Sequence, residues 1–110
     1  VPAMANLETG GRFAPSAIRL RALRRASPYP TRRAFADFLG ITVSRLSNVE
    51  NGYPISRDLE NRISQGLPWV SLDWLRNGRE EVLSGVVLQR LKPLLDEESD
   101  TTAPRSRSRA

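Results

Sequence analysis

The apolar residues of this chain recur at helical spacing, and no segment keeps the two-residue alternation of a strand. Pro15-Ser16 opens a run with Ile18, Leu20 and Leu23 as its apolar positions, which continues to about Arg25 before Ser27-Pro28-Tyr29-Pro30 interrupts it. Thr31 stands as an N-cap ahead of a helix over 32–39, with Phe35, Phe38 and Leu39 on its core side. Gly40 follows where a helix needs a left-handed residue to stop. Only Ile41 intervenes before Thr42, a second capping residue, starts a helix over 43–51 that Gly52 closes. Ser56 caps a helix over 57–65 that carries Leu59 and Ile63 and ends at Gly66. Ser71 caps a short helix over 72–76, stopped at Asn77-Gly78. The pattern predicts an all-α fold of five short helices with a C-terminal extension.

Four regions are expected. Residues 1–14 form a flexible N-terminal arm, and 15–79 the folded domain. Residues 80–95 are an apolar C-terminal segment, and 96–110 a disordered tail. The segment is the least determined: Val82, Leu83, Val86, Val87, Leu91, Leu94 and Leu95 are too many apolar residues for a free helix, while Gly85 and Pro93 count against a helix. A short strand over 86–88 also fits. A homodimer in which this segment packs against its counterpart is expected, with folding back onto its own domain as the alternative. The tail has no aliphatic residue larger than Ala from Glu97 onward and cannot offset the entropy of ordering itself.

Composition narrows the chemistry. The chain of 110 residues has neither Cys nor His, so disulfides, an ordinary zinc site and any Ser-His or Cys-His nucleophile are excluded. No metal, no cofactor and no enzymatic activity are expected. The first eleven residues lack an apolar stretch flanked by basic ones, and no run approaches a membrane span. A cytoplasmic protein, nucleoid-associated in a bacterial or phage-infected cell, is the expectation. The net charge of +5 divides unevenly. Residues 1–79 hold 12 Arg against 6 acids, 80–100 are acidic, and 101–110 add Arg105, Arg107 and Arg109. From Arg12 to Arg33 there are seven Arg and no acid, which reads as a face turned toward nucleic acid.

The segment TRRAFADFLGITVSRLSNVENG, from Thr31 to Gly52, resembles the repressor/Cro-type (Xre-like) helix-turn-helix proteins of phages and bacteria. The matching features are Phe35-Ala36, Leu39-Gly40-Ile41, the stretch 47–49 and the Glu50-Asn51-Gly52 ending. Ser71-Leu72-Asp73-Trp74-Leu75 followed by Asn77-Gly78 is similar to that family's fifth-helix signature. Two departures stand out: the Ser-Pro-Tyr-Pro connection is longer than the family's turn, and Arg32 stands where many members have Gln. The resemblance implies a five-helix DNA-binding domain that works as a dimer on a palindromic operator.

The second helix of such a motif enters the major groove. With Val43 at zero and about 100° per residue, Leu46 and Val49 define a core direction near 270°. Ser47, Ser44 and Asn48 then lie opposite, at about 40°, 100° and 140°. This face is short, polar and uncharged. The base-reading candidates are Val43, Ser44, Ser47 and Asn48, and the resemblance implies base contacts at Val43, Ser44 and Asn48. Asn48 suits adenine, Val43 a thymine methyl, and Ser44 either donor or acceptor. Phosphate contacts are expected from Thr31, Arg32, Thr42, Arg45, Asn51 and Tyr53. Glu50 falls near the core side and resembles the family glutamate that pairs with an arginine of the first helix. Arg24 is the first candidate for that structural ion pair, and Arg25 or Arg21 are alternatives. Trp69 and Trp74 read as core and rim of the last two helices. The expected function is a sequence-specific, double-stranded DNA-binding transcriptional regulator, acting as a homodimeric repressor. The alternatives are an antitoxin-type autoregulator, with a protein partner on the segment after Gly78, and a protein-interaction module that has lost DNA binding.

Overall fold

The computed structural model describes residues 14–100. The arm over 1–13 and the tail over 101–110, including Arg12 and the three tail arginines, lie outside the described residues. Six α-helices follow in order: α1 (Pro15–Ala26), α2 (Arg32–Leu39), α3 (Val43–Glu50), α4 (Arg57–Gly66), α5 (Leu72–Asn77) and α6 (Gly85–Asp100), with a 3-10 turn at Glu80–Val82 before the last. Among the described residues there is no strand, and the fold is all-α.

The boundaries follow local chemistry. Thr31, Thr42 and Ser56 each accept a hydrogen bond from the amide three residues on, at 3.0–3.1 Å, and Ser71 accepts from Asp73 and Trp74. Gly40 closes α2 at φ 75°, a left-handed conformation that disfavours a Cβ. Gly66 has a different purpose. It ends α4 without a positive φ, and a Cβ there would come within 2.6 Å of the Phe38 ring. That ring stacks on Tyr29 with centroids 4.2 Å apart, so the Ser-Pro-Tyr-Pro connection is built into the packing.

The core joins Leu20 and Leu23 of α1, Phe35 and Leu39 of α2, Leu46 and Val49 of α3, Leu59 and Ile63 of α4, and Trp74 and Leu75 of α5. Trp74 is fully enclosed and Trp69 stands at the rim. Leu91 of α6 belongs to the same core, with Val87, Leu94 and Leu95 packed against it. For the extension the structure shows the fold-back that stood as the alternative, and it departs from the sequence reading in the stretch 96–100. The segment 80–95 is helical from Gly85 and folds back onto its own domain, chiefly along α1. The helix also continues through 96–100, placed in the disordered tail by composition, and Glu98 there is buried. Burial of Leu91, Leu94 and Leu95 offsets the cost of Gly85 and Pro93, because tertiary packing contributes more to a helix than propensity does. No helix of the described residues is long and apolar enough to cross a membrane.

Candidate nucleic-acid interface

Helices α2 and α3 are joined through Gly40, Ile41 and Thr42 alone, and they pack directly on one another. Ile41 donates its amide to the Ala36 carbonyl (3.0 Å), which fixes the turn. α3 lies on the core through Leu46 and Val49 and turns its opposite side outward. Ser44 and Asn48 are exposed there, and Val43 and Ser47 are half-buried at its margins. The outward face therefore carries no charge, as its helical spacing requires. Asn51, at the end of α3, is exposed, and Tyr53 is 64% exposed.

The cations around this face have partners. Glu50 is completely enclosed, and its two carboxylate oxygens accept from Arg24 Nε at 2.7 Å and Arg32 Nε at 2.8 Å. One carboxylate thus ties α1, α2 and α3 together. Arg24 also donates to the Pro30 carbonyl. Arg32, named from the sequence as a phosphate contact, gives one edge of its guanidinium to this junction. Arg45 reaches Ser56 Oγ at 2.9 Å and Asp58 at 3.6 Å, which tethers α3 to the start of α4. The Thr31 and Thr42 hydroxyls are occupied as helix caps, and both residues are exposed at the starts of α2 and α3.

The arginine block needs a similar correction. It does not form a single outward cationic face. Arg19 donates to the Leu75 and Arg76 carbonyls (both 2.9 Å) and so caps the end of α5. Arg21 is buried, and Arg25 pairs with Glu97 and Glu98. Arg62 and Arg90 cap α2 and α1 in the same manner, through the Leu39 carbonyl at 2.8 Å and the Ala26 carbonyl at 2.9 Å. Helix ends leave carbonyls without intrahelical donors, and a long guanidinium satisfies them at a distance. Arg33 differs: it is exposed and enters none of these pairs. Sequence reasoning passed over it in favour of Arg32. The signal was present, because Arg32 lies three and four residues before Phe35 and Ala36 and so falls on the buried stripe.

Burial pushes the Glu98 carboxyl up, but the hydrogen bonds from Arg21 and Arg25 outweigh it and hold the group below the usual range. The Arg76 hydrogen bonds hold the nearly buried Glu60 carboxyl low in the same way. Neither acid lies on α3 itself: Glu60 belongs to α4 and Glu98 to α6. No cluster of potential metal ligands occurs among the described residues. No family model, curated protein or solved structure matches the chain.

Proposed function

We propose that the chain is a sequence-specific, double-stranded DNA-binding regulator of transcription, a helix-turn-helix protein of the repressor/Cro type. The observation that carries the reading is the outward face of α3, polar and uncharged, held on the core by Leu46, Val49 and Glu50 directly after a three-residue turn. A helix with short side chains and no charge on its outer face fits the floor of a major groove, where a solvated helix would more often carry Lys or Glu. Asn48 pairs with an adenine edge, Ser44 and Ser47 supply small donors and acceptors, and Val43 meets a thymine methyl. Arg33, Asn51, Tyr53 and the free edges of Arg32 and Arg45 meet phosphates, together with the backbone amides opening α2 and α3.

Repression follows from occupancy of a promoter by a homodimer, with α3 of each copy in successive major grooves. The dimer contact uses what the fold-back leaves outside: Val82, 44% exposed, and Val86, 78% exposed, which lines one groove with Trp69. The protein works in the cytoplasm on the nucleoid. A second reading, a protein-interaction module without DNA binding, draws on the internal pairing of most arginines from Arg19 to Arg32, which leaves few cations for phosphate. Salt titration separates the two. The regulator reading predicts that log K for a duplex falls linearly with log salt concentration, and that Arg33→Ala lowers the slope by about one. No measurable duplex binding at low salt favours the second reading.

A further inference from the structure

The last two turns of α6 bring carboxylates against α1. Glu97 is exposed and pairs with Arg25 at 2.6 Å. Glu98 is 8% exposed and accepts from Arg21 Nε at 2.7 Å and from Arg25 Nη1 at 3.0 Å. Arg21, only 2% exposed, also donates from Nη1 to the backbone carbonyl of Glu50. That carbonyl belongs to the last residue of α3, where helix geometry leaves acceptors without donors and concentrates partial negative charge. A single buried guanidinium therefore holds α6 with one edge and the end of α3 with the other. The neighbouring Glu50 carboxylate is already bound to Arg24 and Arg32. Loss of the Glu98 carboxylate would remove the charge that aligns the Nε edge of Arg21, and with it the fixed angle at which Nη1 meets the end of α3.

We propose that Glu98 is a positioning residue for α3: by fixing Arg21 it sets how the end of α3 sits on α1, and so how Ser44 and Asn48 are presented. The C-terminal helix thereby controls a surface on which it has no residue. The functional half of this inference rests on the DNA-binding reading, and the structural half does not.

Electrostatics supplies a control of opposite sign. Removing a carboxylate from a DNA-binding protein should by itself tighten binding slightly, because one repulsive charge is lost. Glu97→Gln makes that change on the exposed neighbour and should bind duplex as well as the parent or better. Glu98→Gln should bind on the order of tenfold more weakly, within the range of coupling through a packed network. Both are measured by fluorescence anisotropy at a temperature where circular dichroism shows each variant folded. Amide exchange provides a second readout, on the amides of Asn51, Gly52 and Tyr53 that bond to the Asn48 and Val49 carbonyls. They should exchange faster in Glu98→Gln and at the parent rate in Glu97→Gln. Should Glu98→Gln fail to fold, Glu98→Asp keeps the charge one methylene further away and should shift both readouts in the same direction, by less. Equal affinity of the two Gln variants with unchanged exchange at 51–53 overturns the proposal. If no duplex binds the parent chain, the DNA reading fails separately. The exchange rates then decide the coupling alone, faster exchange supporting it and unchanged exchange overturning it.

Discussion

Replacing Glu50 by Gln isolates the junction on which α3 depends. The side chain keeps its shape and loses its charge, while two guanidinium groups remain. Arg24 is 13% exposed at its side chain and Arg32 38%. Removing one partner of a buried ion pair costs about 3–5 kcal/mol, because the remaining charge is left uncompensated. Two features favour the lower end: Gln Oε1 still accepts one hydrogen bond, and Arg32 can turn toward water. A loss of about 3 kcal/mol is large against the roughly 5–15 kcal/mol of a small domain. It corresponds to a fall in Tm of about 12–24 °C at about 4–8 °C per kcal/mol. The assay is urea denaturation followed by Trp fluorescence, since Trp74 is buried in the same core. Glu97→Gln is the control, an exposed pair expected to change stability by less than about 1 kcal/mol. Replacing Glu50, Arg24 and Arg32 together by apolar residues should cost less than Glu50→Gln alone, because no charge is then stranded. A Glu50→Gln variant as stable as the control would refute the argument that this carboxylate organises the three helices.

Gly66→Ala, a change that helix propensity alone would favour, should destabilise by about 1–3 kcal/mol, because the added Cβ meets Phe38 at 2.6 Å and forces the core to give way. A rise in the urea midpoint would show that the ring yields freely. Leu91→Ala should cost about 2–5 kcal/mol, since Leu91 is 1% exposed, whereas Val86→Ala should be near neutral. Equal effects would mean that α6 does not dock as described. Glu60 and Glu98 are held below the ordinary glutamate value of 4.5, so their contribution is complete above it and is lost as pH falls through the folded values. Stability should decline on acidification below about pH 4.5, less steeply in Glu98→Gln; identical acid profiles for parent and variant would contradict the assignment.

The sequence was most informative where structure is decided locally. Thr31, Thr42, Ser56 and Ser71 each satisfy an amide two or three residues away, so their capping was visible in the order of residues. Gly40 was legible for the same reason. The faces of α3 followed from its short period, including the burial of Glu50. What escaped was non-local. Glu98 meets Arg21 across 77 positions, and within EESD it looks like any acid of a solvated tail. Leu91, Leu94 and Leu95 declared that they needed a partner without declaring which one, and the fold supplied α1. Apart from Arg24, the partners of the arginines were not legible, because a guanidinium has the same donors for a phosphate, a carboxylate or a helix-end carbonyl. Arg19, Arg62 and Arg90 took the last of these, which a count of charges along the chain does not distinguish.

Selection of bound sites from a random duplex library, by the full chain and by Asn48→Ala in parallel, tests the central claim most directly. The account predicts a palindromic motif with half-sites about 34 Å apart, or one turn of the helix. Asn48→Ala should relax the motif at one adenine position in each half-site and leave the others in place. Failure to enrich any motif, or enrichment of one that Asn48→Ala leaves unchanged together with Ser44→Ala, would contradict the assignment of α3 as the helix that reads DNA.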